Sequence, residues 1–303
     1  MGGVIITVIM LTYNREQFVS RAIESILAQT FCDFEYIIVD NGSTDNSGKI
    51  ADDYLTRDNR ISVIHKSRGT IGSGRNAGLD AAKGEYIAFI DDDDWCEPDF
   101  LQFLYSLATE NDADVSICGA ADKPFNEKRV MSAEESLIEL MWRKKYNMAF
   151  PTKMFSKKLA AQIRFPEGDK FDDISQMYKL LALAERVAYH GLPKYTFYRH
   201  EGNNSSWTTN YTLLTPETLD EYLQSHRERT RWLTELFPNY ADFWLYFEWS
   251  FMVSMVEKIN RLNIADCDKQ LNMMLAVLRQ NRQKFTSFTE LQNFEKEWIE
   301  KYV

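Results

Sequence analysis

The first 120 residues alternate between short apolar segments and amphipathic segments, and this alternation constrains the fold more than any other feature of the sequence. Residues 4–11 form an apolar run long enough for a strand that is buried on both faces. Asn14 is then expected to cap a helix with one apolar stripe. Further apolar runs predict strands at residues 36–39, 61–64, 86–90 and 115–118. Strands that alternate with helices indicate a mostly parallel sheet with flanking helices.

The second half of the chain has a different pattern. Ser132 and Glu135 have the spacing of a capping box and predict a helix that reaches about residue 145. Residues 186–190 and 195–198 resemble short strands, and the pattern is helical from residue 215 onward. We predict an α/β domain over residues 1–210 and an α-helical C-terminal domain over residues 211–303. The apolar helix around residues 240–256 predicts a domain core, or alternatively a homo-oligomer interface.

Charge and cysteine content exclude several classes of protein. The 45 acidic residues outnumber the 35 lysines and arginines, and a net charge of −10 argues against sequence-independent binding to nucleic acid. The four cysteines do not have zinc-site spacing and are expected to be reduced thiols. We expect no signal peptide, because residues 4–11 are not preceded by basic residues, and the sequence has no apolar run of about 18 residues, as a transmembrane segment would require. We therefore expect a cytoplasmic protein, free or at the inner face of the membrane.

Three of the predicted strands are followed by polar clusters. These clusters are Thr12-Tyr13-Asn14, Asp40-Asn41-Gly42-Ser43 and Asp91-Asp92-Asp93-Asp94. The ends of parallel strands share one edge of a sheet, so the clusters should converge there and can hold a nucleotide. Carboxylate oxygens suit Mg²⁺, Mn²⁺ or Ca²⁺ better than zinc. The alternative for the aspartate run alone is a solvated acidic turn.

In these segments the chain resembles the family 2 glycosyltransferases, which have the GT-A fold. The resemblance also includes Gly74-Arg75-Asn76-Ala77-Gly78 and covers roughly the first 120 residues closely, with a looser match at residues 165–174. It implies a Rossmann-like sheet and a nucleotide-sugar donor. Residues 69–74 do not have the G-x-G-x-x-G spacing, which argues against a Rossmann dehydrogenase.

The resemblance also implies roles for individual residues. Asp40 would hydrogen-bond the uracil, and Asp91-Asp92-Asp93 would be the Asp-x-Asp (DXD) motif. Asp93 would be the main ligand of Mn²⁺ or Mg²⁺, and Asp92 would lie near the ribose. The remaining donor-site residues would be Thr12, Tyr13, Asn14 and Arg75, with Arg199, Ser205 and Ser206 beside the donor phosphates. Arg75 could instead pair with the acidic cluster.

The general base implied by the resemblance is Asp173. Asp172 stands where the family usually has glutamate, which leaves open which of the two aspartates is the base. Successive helical residues point about 100° apart, so only one of them can face the cleft squarely. Alternatively, both only charge the first turn of a helix. His65, His190 and His226 are expected to have structural or surface roles, as is His200 on balance.

These features predict an inverting, metal-dependent hexosyltransferase of bacterial polysaccharide biosynthesis. It would move a hexose or N-acetylhexosamine from a UDP-sugar to a hydroxyl group of a glycan or glycoprotein. One alternative is a catalytically silent, oligomerising glycan-binding or scaffold protein. Another is a nucleotidyltransferase, which would need a basic glycine-rich loop after the first strand, where this chain has Thr12-Tyr13-Asn14-Arg15.

Overall fold

The computed structural model describes residues 3–122, 125–168, 171–200, 203 and 210–303. The chain divides into two units, Met1–Tyr198 and Arg199–Val303. The division lies at Tyr198, twelve residues before the boundary predicted from the sequence.

The described part of the first unit contains a nine-stranded mixed sheet. Its strands are β1 (Ile6–Thr12), β2 (Phe34–Asp40), β3 (Ile61–His65), β4 (Tyr86–Asp91), β5 (Trp95–Cys96), β6 (Val115–Ala120), β7 (Phe125–Met131), β8 (Lys153–Ser156) and β9 (Val187–Thr196). They follow the order β3-β2-β1-β4-β8-β6-β9-β5, and β7 pairs with β9. The pairs among β3, β2, β1 and β4 are parallel, as predicted for the first half of the chain.

Helices flank this sheet in the order that the sequence predicts, apart from one additional short helix at Lys157–Ala160. They are α1 (Val19–Leu27), α2 (Ser47–Leu55), α3 (Ile71–Ala81), α4 (Phe100–Glu110), α5 (Ala133–Trp142), α6 (Lys157–Ala160) and α7 (Asp172–Leu183). The capping box at Ser132 and Glu135 is present at the start of α5 and confirms that prediction. Gly74 in α3 packs on β1, where an added Cβ would lie 2.2 Å from Leu11 Cδ1. A larger residue at this position would have to displace the Leu11 side chain.

The described part of the second unit is helical. Its helices are α8 (Pro216–Leu236), α9 (Ala241–Leu262), α10 (Asp268–Gln280), α11 (Arg282–Thr286) and α12 (Asn293–Tyr302). Trp244, Trp249 and Met252 of α9 are buried, as expected for the core of a helical domain. Among the described residues, no helix has the length and apolar character needed to cross a bilayer.

Three local predictions need correction. Asn14 does not cap α1, which begins at Val19; its backbone has φ 51°, and its side chain instead accepts a hydrogen bond from Thr44 N at 2.8 Å. The two short strands predicted at residues 186–198 are one strand, β9. Strands β5, β7 and β8 were not predicted, because β5 and β8 are very short and β7 is a largely exposed edge strand with charged residues.

Candidate active site

The three polar clusters converge at one edge of the sheet. In the parallel register, Thr12 pairs with Asp40 and Leu11 pairs with Asp91, so β1, β2 and β4 end side by side. Thr12 is fully buried at this edge, and Asp40 is 6% exposed. The predicted meeting of the three strand ends is therefore confirmed.

Hydrogen bonds connect the loops that follow these strands. Tyr13 N donates to Asp92 Oδ2 at 3.2 Å, which joins the β1 loop to the β4 loop. Asn14 N donates to Ser43 Oγ at 3.2 Å, which joins the β1 loop to the β2 loop. The Arg68 guanidinium lies 3.4 Å from the centroid of the Tyr13 ring and packs against this aromatic side chain. The rim of the site is thus held together by contacts between distant parts of the sequence.

The four consecutive aspartates differ in their surroundings. The Asp91 side chain is 43% exposed, whereas Asp93 and Asp94 are 7% and 3% exposed. Burial and the adjacent Asp93 carboxylate raise the pKa of Asp92 to about 7. Burial, followed by the Asp91 carboxylate, raises the pKa of Asp94 to about 8. The run is therefore not a solvated acidic turn, since burial keeps most of its carboxylates out of water.

Asp94 has a structural role that the sequence did not reveal, because it accepts hydrogen bonds from two residues about 100 positions away. Its Oδ2 accepts a hydrogen bond from the Tyr195 hydroxyl at 2.8 Å, and its Oδ1 accepts one from Tyr198 N at 2.7 Å. The Tyr195 hydroxyl also accepts a hydrogen bond from Asp91 N at 3.1 Å. These contacts join the aspartate turn to the end of β9.

Arg75 lies between the aspartate turn and the first turn of α7. Its Nη1 is 2.9 Å from Asp172 Oδ2, and its Nη2 is 3.8 Å from Asp91 Oδ1. Asp172 is 4% exposed; burial raises its pKa to about 6, and the Arg75 guanidinium opposes this shift. Asp173 is half-buried, and its Oδ1 accepts a hydrogen bond from Ile174 N at 2.8 Å. Arg75 thus pairs with the acidic cluster in the described structure, and the two aspartates of α7 have different environments.

Comparison with known proteins agrees with this geometry. Residues 7–168, more than half of the chain, match Glycosyl transferase family 2. The chain belongs to glycosyl transferase family 2. The protein is therefore a glycosyltransferase, as predicted.

Individual relatives of this family 2 glycosyltransferase support the assignment. Glycosyltransferase GlyG of Streptococcus pneumoniae serotype 4 is 33% identical over 217 residues, which are 66% of this chain and 72% of GlyG. The chain spans only about a third of the length of two other relatives that it matches.

Two solved structures confirm the predicted GT-A fold class. S. aureus TarS 1–349, solved in complex with UDP-GlcNAc, has a TM-score of 0.64 and 21% identity; the match covers 82% of this chain and 73% of TarS. The mannosyltransferase PcManGT of Pyrobaculum calidifontis, solved with GDP-Man and Mn²⁺, has a TM-score of 0.56 and 14% identity; that match covers 99% and 85% of the two chains.

An arginine outside the family motifs supports the aspartate turn of this glycosyltransferase. Arg21 of α1 donates from Nη2 to the main-chain oxygen of Asp93 at 2.5 Å. Its guanidinium lies 4.1 Å from the Trp95 ring centroid and 4.5 Å from that of Tyr198. The sequence analysis missed this residue because its partners are more than 70 positions away.

Lys153 is a second residue that the sequence analysis missed. It is fully buried at the start of β8, and its Nζ donates to the carbonyl oxygen of Ala149 at 2.6 Å. Burial lowers its pKa to about 7, while the nearby Cys118 and Asp173 act in the opposite direction. The preceding residue, Thr152, has φ 79°, an uncommon conformation for a β-branched residue.

We expect Lys153 to make stability depend on pH. Its pKa in the folded protein is below its ordinary value of 10.5, so its contribution is most favourable above pH 10.5 and is lost as the pH falls towards 7. Urea unfolding at pH 7, 8 and 9 should therefore show Lys153→Met gaining stability relative to wild type as the pH falls. Lys158→Met, at an exposed position two residues beyond β8, should show no such trend. Parallel behaviour of the two variants would contradict the expectation.

The predicted donor-site residues near position 200 do not all lie within the described residues. Arg199 is the first residue of the second unit, and Ser205 and Ser206 lie outside the described residues. Within the part of the chain that the structure describes, no three His, Cys, Asp or Glu side chains form a group that could hold a metal ion. The assignments of Asp93 to a metal and of Arg199 to the donor phosphates stay predictions.

Proposed function

We propose that the protein is an inverting, metal-dependent glycosyltransferase that moves a hexose or N-acetylhexosamine from a UDP-sugar to a hydroxyl group of a glycan or glycoprotein. The observation that carries the proposal is that the ends of β1, β2 and β4 meet at one edge, where Arg75 connects Asp91 to the first turn of α7. The proposed nucleotide site and the candidate general base would therefore lie close together. TarS, a structural neighbour, was solved with UDP-GlcNAc, which favours a uridine donor.

The nucleotide would lie against the loops after β1 and β2. Asp40 accepts a hydrogen bond from Ser43 N at 2.9 Å and would accept another from the N–H group of the base. Tyr13 and Asn14 would line the pocket, and Asp92, which accepts from Tyr13 N, would lie near the ribose. Arg75 would contact the donor from its place between Asp91 and Asp172.

In this proposal, Asp93 of the aspartate turn would be the protein ligand of a hard divalent cation. The carboxylates of the turn lie close together, and burial, followed by the Asp93 carboxylate, raises the pKa of Asp92, so a bound cation would favour the ionised form of that carboxyl group. Asp93 would hold Mn²⁺ or Mg²⁺, with donor phosphate oxygens completing the coordination. When bound, the cation supplies positive charge that neutralises the leaving diphosphate. PcManGT, whose structure contains Mn²⁺, is consistent with this choice of metal.

Asp173 would take the proton from the acceptor hydroxyl. Asp172 is nearly inaccessible and forms an ion pair with Arg75. Asp173, on the same helical turn, is only half-buried. A single carboxylate base on the side opposite the leaving group gives one displacement and inverted configuration. A product with retained configuration would contradict this mechanism.

We propose a place in bacterial surface polysaccharide biosynthesis, in the cytoplasm or at the inner face of the membrane. The acceptor would be a growing glycan or a glycoprotein. The protein would form a homo-oligomer through its C-terminal helices.

Thermal unfolding with nucleotides tests the donor and the metal together. UDP at 100 times its Kd with Mn²⁺ should stabilise the protein by about 2.7 kcal/mol, while GDP and CMP should have smaller effects. The shift should require Mn²⁺ and be lost in Asp93→Ala. The control is Asp33→Ala. Asp33 is exposed and lies just before β2, at the end of the strand opposite Asp40, so this variant should respond as wild type does.

Each alternative predicts a different outcome of this experiment. A preference for GDP or CMP would overturn the uridine donor. Stabilisation by UDP without Mn²⁺ would overturn the metal site. The absence of any nucleotide response would favour the glycan-binding or scaffold protein.

A further inference from the structure

The imidazole ring of His65 lies between two carboxylates. Its Nδ1 is 3.1 Å from Asp40 Oδ2, and its Nε2 is 2.9 Å from Asp52 Oδ1. His65 ends β3 and pairs in register with Asp40 at the end of β2, whereas Asp52 belongs to α2. The ring therefore connects Asp40, the proposed nucleobase contact, to helix α2.

The two contacts can both be hydrogen bonds only if each ring nitrogen carries a proton. An ionised carboxylate only accepts hydrogen bonds, so both ring nitrogens must carry protons for both contacts to form. The charged groups that face the ring are Asp40 from β2 and Asp52 from α2. Hydrogen bonds to Asp52 and then to Asp40 raise the pKa of His65. The bridge thus requires the imidazolium form.

The surrounding backbone makes room for this bridge. Gly48 of α2 faces the pair, and a Cβ there would lie 2.5 Å from Asp40 Oδ2 and 3.4 Å from His65 Cε1. Asp40 Oδ1 already accepts the hydrogen bond from Ser43 N at 2.9 Å. Both oxygens of Asp40 are therefore held, and the plane of its carboxylate is set by two partners.

We propose that His65 is a positioning residue that acts through Asp40: the protonated ring, held from the far side by Asp52, fixes the Asp40 carboxylate in the orientation that reads the nucleobase of the donor. This inference rests on the proposed nucleotide site. Loss of the ring proton removes one of the two hydrogen bonds and frees one carboxylate to rotate. The raised pKa means that the bridge is complete below the ordinary histidine value of 6.5 and is lost as the pH rises through the folded value.

The test combines a titration of the ring with a binding profile. NMR of the nucleotide-free full chain follows the His65 ring from pH 5 to pH 9, and calorimetry measures the affinity for UDP with Mn²⁺ over the same range. In wild type the ring should titrate above 6.5, and UDP affinity should fall through the same midpoint.

Asp52→Asn removes the distant carboxylate without changing Asp40. We expect this variant to lower the pKa of His65 and to shift the midpoint of the pH dependence of UDP affinity by the same amount. Between the His65 midpoints of the variant and of wild type, the variant should bind UDP about 3–10-fold more weakly. Asp53→Asn, at the next and exposed position of α2, should match wild type in both measurements. His65→Gln should weaken UDP binding and remove the part of its pH dependence that follows the His65 midpoint, while the contribution of the aspartate turn remains.

The two measurements separate the ways in which the inference can fail. A ring that titrates at or below 6.5 and does not respond to Asp52→Asn overturns the bridge. A ring that titrates as expected beside a flat UDP profile overturns the positioning role. If UDP does not bind at any pH, the proposed function fails and the positioning role fails with it, while the titration still shows whether the bridge exists.

Discussion

Asp173→Asn is expected to lower kcat by about 10²–10⁴-fold, the usual contribution of a general base. Asparagine keeps the size of the side chain and its oxygen for Ile174 N, but it cannot take a proton from the acceptor hydroxyl. The affinity for UDP should stay as in wild type, because the nucleotide would bind at the ends of β1 and β2. Steady-state kinetics with a UDP-sugar, together with calorimetry of UDP, separate the two effects.

Asp172→Asn is the matched control on the same helical turn. It removes the charge that pairs with Arg75 at 2.9 Å in a nearly inaccessible place. Leaving one member of a buried ion pair alone is costly, so this variant should lose stability and bind donor more weakly. An Asp173→Asn variant with full turnover, beside a stable but inactive Asp172→Asn variant, would show that Asp172 is the base.

Asp94→Ala is expected to cause the largest loss of stability among the aspartate substitutions. The change leaves the Tyr195 hydroxyl and Tyr198 N without their acceptor in the interior. A buried donor without a partner costs about 1–3 kcal/mol, and here there are two. Urea unfolding measures the total, and hydrogen exchange at Tyr198 N reports the local contact.

Asp94→Asn tests the physical reason for that loss. It keeps one acceptor oxygen and nearly the same volume, so we expect it to be intermediate between wild type and Asp94→Ala. If Asp94→Ala unfolds at the same urea concentration as wild type, the two hydrogen bonds do not contribute to stability. If both variants lose the same free energy, the acceptor oxygen that asparagine keeps does not contribute to stability.

The order of the secondary structure was predictable wherever an element has a strong local signal. The apolar run of β1 and the capping box of α5 are examples. The prediction failed where a distant partner decides the local structure. Asn14 has the residue type of a helix cap, but its side chain accepts a hydrogen bond from Thr44, thirty positions away. Strand β7 is mostly exposed and forms through its pairing with β9.

The sequence by itself determined the residue types at the strand ends, and the parallel order of β1, β2 and β4 then required those residues to meet. It did not distinguish among chemically identical side chains. Only the tertiary structure showed that Asp94 binds Tyr195 and Tyr198, that Asp172 pairs with Arg75, and that His65 connects Asp40 to Asp52. The physical reason is that burial and hydrogen-bond partners determine what a carboxylate does, and both come from residues far away in the chain.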